Sequence, residues 1–409
     1  MTRPYKPISD YAAIGDLQTV VLVGRDGSID WCPFPHLDSP SVFGAILDAR
    51  RGGRFGIAAP EAGMGDQRYI PDTNVLQTRF RTERGALTVT DFMPLSGEIG
   101  GAERVPAASE IHRIIECSEG NPDVEVEWSP RFDYGRTATR IVRSGTGWVA
   151  TDGKDTLALG GAGDAKILEA GSGPVLSVRF RLDEGERRVL IARWNSLDTS
   201  GEVASSEAML KRTADIWKGW AHREGTLHSE NWAGHWLPFL IRSELALKLL
   251  THADTGAIAA APTTSLPESI GGVRNWDYRY SWIRDASQAA QAFIALGHRK
   301  EAIEFLEWIE RVSEQHFEHG EPPQIMYGIH GEAELGEQVL DHLEGYRGSR
   351  PVRIGNGAAG QTQHEVYGEL LVTGYELLRR GEALNHEIMD LLGWVADHVC
   401  TVWREPDHG

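Results

Sequence analysis

Residues 176–220 read LSVRFRLDEGERRVLIARWNSLDTSGEVASSEAMLKRTADIWKGW, and the fold turns on the change of rhythm inside them. Leu176, Val178, Phe180 and Leu182 alternate with mostly polar residues, Asp183-Glu184-Gly185 turns the chain, and Arg188 to Trp194 runs back. Successive side chains of a strand point to opposite faces, so this pattern makes a hairpin with one wet face. After the turn residues Asp198-Thr199-Ser200-Gly201 the period becomes 3.6, with Met209, Thr213, Ile216, Trp217 and Trp220 on one helical face. A strand-rich unit is followed by a helical one.

The same division holds outward in both directions. Toward the N-terminus, Thr19–Gly24 ends at the turn Arg25-Asp26-Gly27-Ser28, Leu76–Thr82 and Leu87–Thr90 flank Gly85, and Val124, Val126 and Trp128 alternate with Glu125 and Glu127. Repeated short strands joined by glycine turns predict an antiparallel sandwich over residues 1–198. Toward the C-terminus, a helical linker at 199–230 leads into 231–409. That segment predicts helices over Trp232–Leu250, with Pro238 in its first turns, and over Asp285–Leu296, Arg299–Phe317, His364–Arg380 and His386–Trp403. No strand-rich stretch returns, so the second half reads as all-α. Long loops at Thr251–Ile283 and Glu318–Gln363 separate the helices, and loops of that length in a compact domain are usually functional.

Composition acts as a filter. In 409 residues, 59 acidic against 41 basic side chains give a formal charge of −18, which disfavours a nucleic-acid partner. No apolar region follows the first ten residues as in a signal peptide, and no run is long enough to span a membrane. Three cysteines (Cys32, Cys117 and Cys400), with no CxxC pair, fit a reducing cytoplasm. Fifteen histidines contain no HExxH and show no metal-ligand spacing. Residues 355–360, GNGAAG, match GxGxxG, but a dinucleotide site needs a second strand after the helix, and none follows. The glycines there read as a tight loop with close backbone approach. Nine of the 13 tryptophans stand from Trp217 onward, as core packing or as platforms for the apolar face of a sugar ring.

The segment 274–285, RNWDYRYSWIRD, packs four aromatic rings, three guanidinium groups and two further carboxylate side chains into twelve residues and opens onto a helix. Asp285 reads either as a simple N-cap or, with Arg284, as a binder of vicinal hydroxyls. Its neighbour Arg284 favours an ionised Asp285, which suits hydroxyl binding and not general acid work.

Here the sequence resembles the bacterial family 15 glycoside hydrolases of the glucoamylase and trehalase type. The resemblance rests on GVRNWDYRYSWIRDAS at 272–287 and on blocks in the same order on either side. These are Ile8-Ser9-Asp10-Tyr11 through Asp16 with Gly27–Trp31 and Asp38–Phe43; Thr255–Ile258 with Ala261–Glu268; and His342–Arg347, Pro351–Ala358 and Val366–Glu369. Small departures are Glu365 where the family has Asp, and Thr362 and His364 where it has apolar residues. The resemblance implies an N-terminal trehalase-like sandwich followed by an incomplete (α/α)6 barrel at 231–409, whose loops form a pocket for a non-reducing-end glucose. It implies that Arg284 and Asp285 hold hydroxyls of that sugar, that Tyr280 and Trp282 line the pocket, and that Arg353 and Asn356 stand on a further lining loop.

It also implies inverting hydrolysis by two glutamates, one protonating the glycosidic oxygen and one activating water, with no metal or cofactor required. The acid belongs to a Gly-Ile-Trp-Glu segment, expected beyond Gly409, and the base lies further on. About twelve helices make such a barrel and only five or six fit from Trp232 onward, so the chain reads as truncated at its C-terminus and inactive by itself. The expected substrate is a small sugar, trehalose or an α-glucooligosaccharide. The alternative is a non-catalytic carbohydrate-binding or sensing remnant, and the oligomeric state stays open.

Overall fold

Alternating apolar side chains in residues 11–194 build two sheets of eight strands each in the computed structural model, which describes residues 5–97, 99, 109–223, 226, 233–318 and 320–409. One sheet runs Tyr11–Gly15, Val20–Gly24, Ser28–Pro33, Phe55–Ala58, Asp123–Trp128, Gly173–Arg181 and Lys166–Ala170, with Ser41–Phe43 paired to Ser28–Pro33. The other runs Arg140–Ser144, Gly147–Thr151, Thr156–Gly160, Arg187–Trp194, Glu110–Gly120, Gly85–Phe92, Leu76–Thr82 and Asp66–Tyr69. Neighbours pair antiparallel, as in Thr82 opposite Gly85 and Trp128 opposite Leu176. Val126 and Trp128 face inward while Glu125 and Glu127 are half-buried, as alternation requires. Val23, Phe55, Trp128 and Leu176 of the first sheet meet Phe80, Val89, Ile115 and Leu190 of the second in one core.

The helical half begins with α1 (Val203–Ala221), laid against the strands Glu110–Gly120 and Arg187–Trp194. Then come α2 (Leu237–Leu249), α3 (Ile283–Leu296), α4 (Arg299–Glu318), α5 (Glu365–Arg379) and α6 (His386–Val402). Pro238 sits in the first turn of α2, where no intrahelical N–H is needed. Gly297, at φ 95°, closes α3, and the Asn385 side chain caps α6 by accepting from Ile388 N at 2.8 Å. Helix α3 packs against α4 and α5, and α5 against α6, in keeping with an (α/α) barrel-like domain. The first four residues and Trp232, the expected start of a helix, lie outside the described residues. No helix among the described residues is long and apolar enough to cross a membrane.

The second half departs from all-α at two places. Ser281–Trp282 pairs with Met326–Tyr327, and Gln338–Val339 pairs with Arg353–Ile354. The first ladder joins the two long loops at buried residues, where backbone groups must find hydrogen bonds within the protein, and the second folds the later loop back on itself. Two-residue ladders carry no readable alternation, which is why periodicity misses them.

The sandwich and the helical half share cores. Leu17, Val20 and Leu37 pack with Leu249, Ile258 and Phe293, while Trp31, Ile46 and Tyr134 pack with Leu343, Tyr346 and Val352. Polar contacts fix the register: Trp31 Nε1 donates to the Pro262 carbonyl at 2.7 Å, Asn74 Nδ2 to the Leu245 carbonyl at 3.1 Å, and Arg242 lies over the Tyr69 ring.

Candidate functional site

The charged and aromatic segment 274–285 divides into a buried frame and an open pair. Asp277 and Arg279 are at most 1% exposed and form a bidentate ion pair, Nε to Oδ1 at 2.8 Å and a terminal guanidinium nitrogen to Oδ2 at 2.7 Å. The other terminal nitrogen of Arg279 donates to the carbonyls of Asp38 and Ser39, on a sandwich loop. Asp277 Oδ2 also accepts from Gly355 N at 3.1 Å, and its carbonyl accepts from Asn356 Nδ2 at 3.0 Å. Part of the charge in this segment therefore builds the loop cluster instead of facing a ligand. Arg274 pairs with Glu268 at the surface.

The open pair stands one turn later. Arg284 and Asp285 lie in the first turn of α3, with side chains 37% and 44% exposed. Arg284 reaches Asp285 Oδ2 at 3.2 Å and Glu365 Oε1 at 3.0 Å, with Gln363 Oε1 at 3.4 Å. A guanidinium fork held between two carboxylates offers donors and acceptors side by side, the complement of two vicinal hydroxyls. The Arg284 guanidinium also lies 5.7 Å from the centre of the Trp282 ring, which stacks it from behind. Trp282 and Tyr280 are 7% and 8% exposed, so both present little open ring face.

Tyr280 belongs to a cavity of about 390 Å³ at the seam with the sandwich, lined also by Asp38, Tyr134, Arg279, Glu332 and Gly355. Its hydroxyl accepts from Gly355 N at 3.0 Å, and burial pushes its pKa upward. Gly355 has φ 76°, and a Cβ there would stand 2.1 Å from the Gly336 carbonyl oxygen, so the GNGAAG loop is a close backbone approach as its glycines suggest. Asn356 is 4% exposed; besides its bond to Asp277, its Oδ1 accepts from Ala358 N at 3.0 Å and caps a short 3-10 turn. Arg353 donates to Glu337 and to the carbonyls of Val273 and Asn275, and lies over Trp276 at 4.5 Å. The structure thus brings Tyr280, Arg353 and Asn356 into one frame and leaves Arg284 and Asp285 open on its flank.

The remaining acids near the pair are engaged. Glu365 meets Arg284, and Glu369 accepts from Gln288 and Gln291. A larger concavity, about 1000 Å³, lies elsewhere, among Arg50, Arg51, Arg131, Arg136 and His342. Its guanidinium groups already bond Glu344, the His342 carbonyl, Pro174 and Gln338, and neither an aromatic ring other than His342 nor a carboxylate lines it. It lacks what holds a sugar.

Linear spacing shows no metal cluster, yet folding brings His36, His252 and His330 together, with one ring nitrogen of each within 4.8 Å of the others. Residues from distant loops leave no local motif, so linear spacing does not reveal this grouping. Burial and the neighbouring rings lower the pKa of His252 to about 3 and lower that of His36 as well.

Residues 3–215 match the family described as trehalase-like, N-terminal, and residues 236–409 match glycosyl hydrolases family 15. The chain is 34% identical over 437 residues to a trehalase of Mycolicibacterium smegmatis, covering 100% of this chain and 63% of that protein. It is 33% identical over 409 residues to a trehalase of Thermoplasma volcanium, covering 98% and 62%. The chain thus spans less than two thirds of the length of these relatives. A putative kojibiose phosphorylase from the human microbiome overlaps 81% of this chain and 54% of its own, with a TM-score of 0.37 and 8% identity.

Proposed function

Because the chain belongs to the glycosyl hydrolases of family 15, in the branch with a trehalase-like N-terminal domain, we propose that it serves hydrolysis of an α-glucosidic bond. The substrate is trehalose or the non-reducing end of an α-glucan, with trehalose the first candidate because relatives similar to the chain over nearly all of its length are trehalases. The observation that carries this reading is the Arg284–Asp285–Glu365 arrangement. Ion pairs this exposed contribute at most about 1 kcal/mol to folding, so stability is a weak reason to build one on a tryptophan at a helix start. Bidentate recognition of sugar hydroxyls is a better one. Arg284 and Asp285 hold the sugar, Trp282 and Tyr280 support them, and Arg353 and Asn356 fix the loop beside them. Three unpaired cysteines agree with a cytoplasmic setting, where a small soluble disaccharide is available.

The chemistry is inverting: one glutamic acid protonates the leaving oxygen and one glutamate activates water, with the two carboxyls roughly 6.5–9.5 Å apart. Neither catalytic residue is assigned within these 409 residues. Glu365 is tied to the Arg284 guanidinium and Glu369 to the Gln288 and Gln291 amides. The 409-residue chain therefore holds sugar without cleaving it.

A glucose-release assay with trehalose and with maltose tests this. The expected result is release no faster than from a buffer blank, while full-length proteins of the same family turn over. Release by the 409-residue chain at an ordinary enzymatic rate, abolished in Glu365→Gln or Glu369→Gln, would place the catalytic pair inside it and overturn the assignment.

A further inference from the structure

His36 comes from a sandwich loop, and His252 and His330 come from two different loops of the helical half, so three separate parts of the chain meet at one point. The ring centroids are 4.5 Å apart for His36 and His330 and 5.2 Å apart for each of the other pairs, all edge to face. His252 is fully buried, His36 half-buried and His330 exposed, so the cluster is walled on the inside and open to solvent at one ring.

The outer contacts of the rings are ordered. His252 Nδ1 lies 3.1 Å from Thr255 Oγ1, which leaves its Nε2 turned toward the cluster, 3.2 Å from His36 Nδ1. Gln18 Oε1 stands 3.1 Å from that same His36 nitrogen, and the Gln18 amide is itself held by Asp254 Oδ2 at 2.8 Å. Two nitrogens bound to one tetrahedral ion at about 2.0–2.1 Å stand roughly 3.4 Å from each other, close to the His36–His252 spacing. A hydroxyl on the far side of a ligand imidazole, as Thr255 Oγ1 is for His252, is a usual means of fixing ring orientation, whereas Gln18 Oε1 holds the inward nitrogen of His36. A proton shared between His36 and His252 accounts for one contact but gives no reason for His330 to stand against both rings. Asp38, Asp254 and Glu332 add negative charge around the cluster.

We propose that His36, His252 and His330 bind a divalent transition-metal ion of borderline softness, of the Zn²⁺ or Co²⁺ kind, with a fourth position open to water. Imidazole ligands select that class over Mg²⁺ or Ca²⁺, which prefer oxygen. The ion is structural. It clips the sandwich loop to the segment that follows His330, where Glu332, Glu334 and Leu335 line the seam cavity. It thereby fixes one wall of that cavity, independently of the sugar-holding role given to Arg284 and Asp285.

The test uses the untagged chain, stripped with a chelator and titrated with Co²⁺ while its visible absorbance is followed, then back-titrated with Zn²⁺. The expected result is saturation at one ion per chain, displacement by Zn²⁺ and a higher thermal midpoint in the metal-loaded protein. His330→Ala, at an exposed position, is expected to leave the metal-free midpoint unchanged and to weaken binding by at least the ~10–100-fold that loss of an outer partner causes. His386→Ala, at a remote exposed helix start, is expected to bind as the parent does. Absence of a saturable Co²⁺ signal, or equal affinity in parent and His330→Ala, would overturn the proposal and leave a hydrogen-bonded histidine cluster.

Discussion

Asp277→Ala is expected to be the most damaging single substitution around the site, costing about 3–5 kcal/mol, because it leaves the buried Arg279 without its counter-charge. The loss does not stop at the ion pair. The Asp277 carboxylate also accepts from Gly355 N, so the GNGAAG loop loses a partner as well, while the main-chain carbonyl that Asn356 Nδ2 bonds is retained. Urea unfolding of parent and variant measures the cost. Asp285→Ala, at an exposed carboxylate, should shift the same curve by no more than about 0.5 kcal/mol. Equal penalties for the two aspartates would contradict the separation of frame from open pair.

The second large effect lies at the meeting of α1, α2 and α4. Glu301 is fully buried; it accepts from Trp220 Nε1 at 2.7 Å and pairs with Arg223 at 2.9 Å and Lys248 at 3.2 Å. Burial alone would raise its pKa, but Lys248 and Arg223 outweigh burial and hold it at about 2, against an ordinary 4.5. A depressed carboxylate pKa stabilises the fold fully above the unfolded value and loses that contribution as pH falls from 4.5 toward 2. The difference corresponds to roughly 3 kcal/mol. Glu301→Gln should therefore be less stable than the parent by about that amount at pH 7, and the gap should shrink by roughly half as the pH falls to 3. Unfolding free energies at a series of pH values check both parts. A gap that stayed constant down to pH 3 would mean that the carboxylate charge is not what stabilises the cluster.

The fold was legible where repetition is long. Strands such as Asp123–Trp128 alternate buried with half-buried residues, and helices such as Arg299–Glu318 repeat their apolar face over several turns, so both follow from periodicity. The two short ladders were not legible, because two residues define no period. The site was legible only in part. The segment 274–285 announces itself by its density of rings and charges, but its sequence gives no sign that Asp277 and Arg279 turn inward while Arg284 and Asp285 turn outward. That choice is made by tertiary partners, the Asp38 and Ser39 carbonyls on one side and Glu365 on the other. The Glu301 cluster and the three histidines were equally hidden, each assembled from elements distant in the chain.

The sugar-holding role of the open pair is open to direct measurement. Isothermal titration of trehalose into the 409-residue chain, alongside Arg284→Ala and Asp285→Ala, measures it. Saturable binding by the parent, weakened at least about tenfold in each variant while the unfolding curve is unmoved, is the expected result, since a lost charged hydrogen bond is worth about 1.5–3 kcal/mol. No saturable binding by the folded parent, or binding that both variants retain unchanged, would contradict the assignment of Arg284 and Asp285 as the sugar-holding residues.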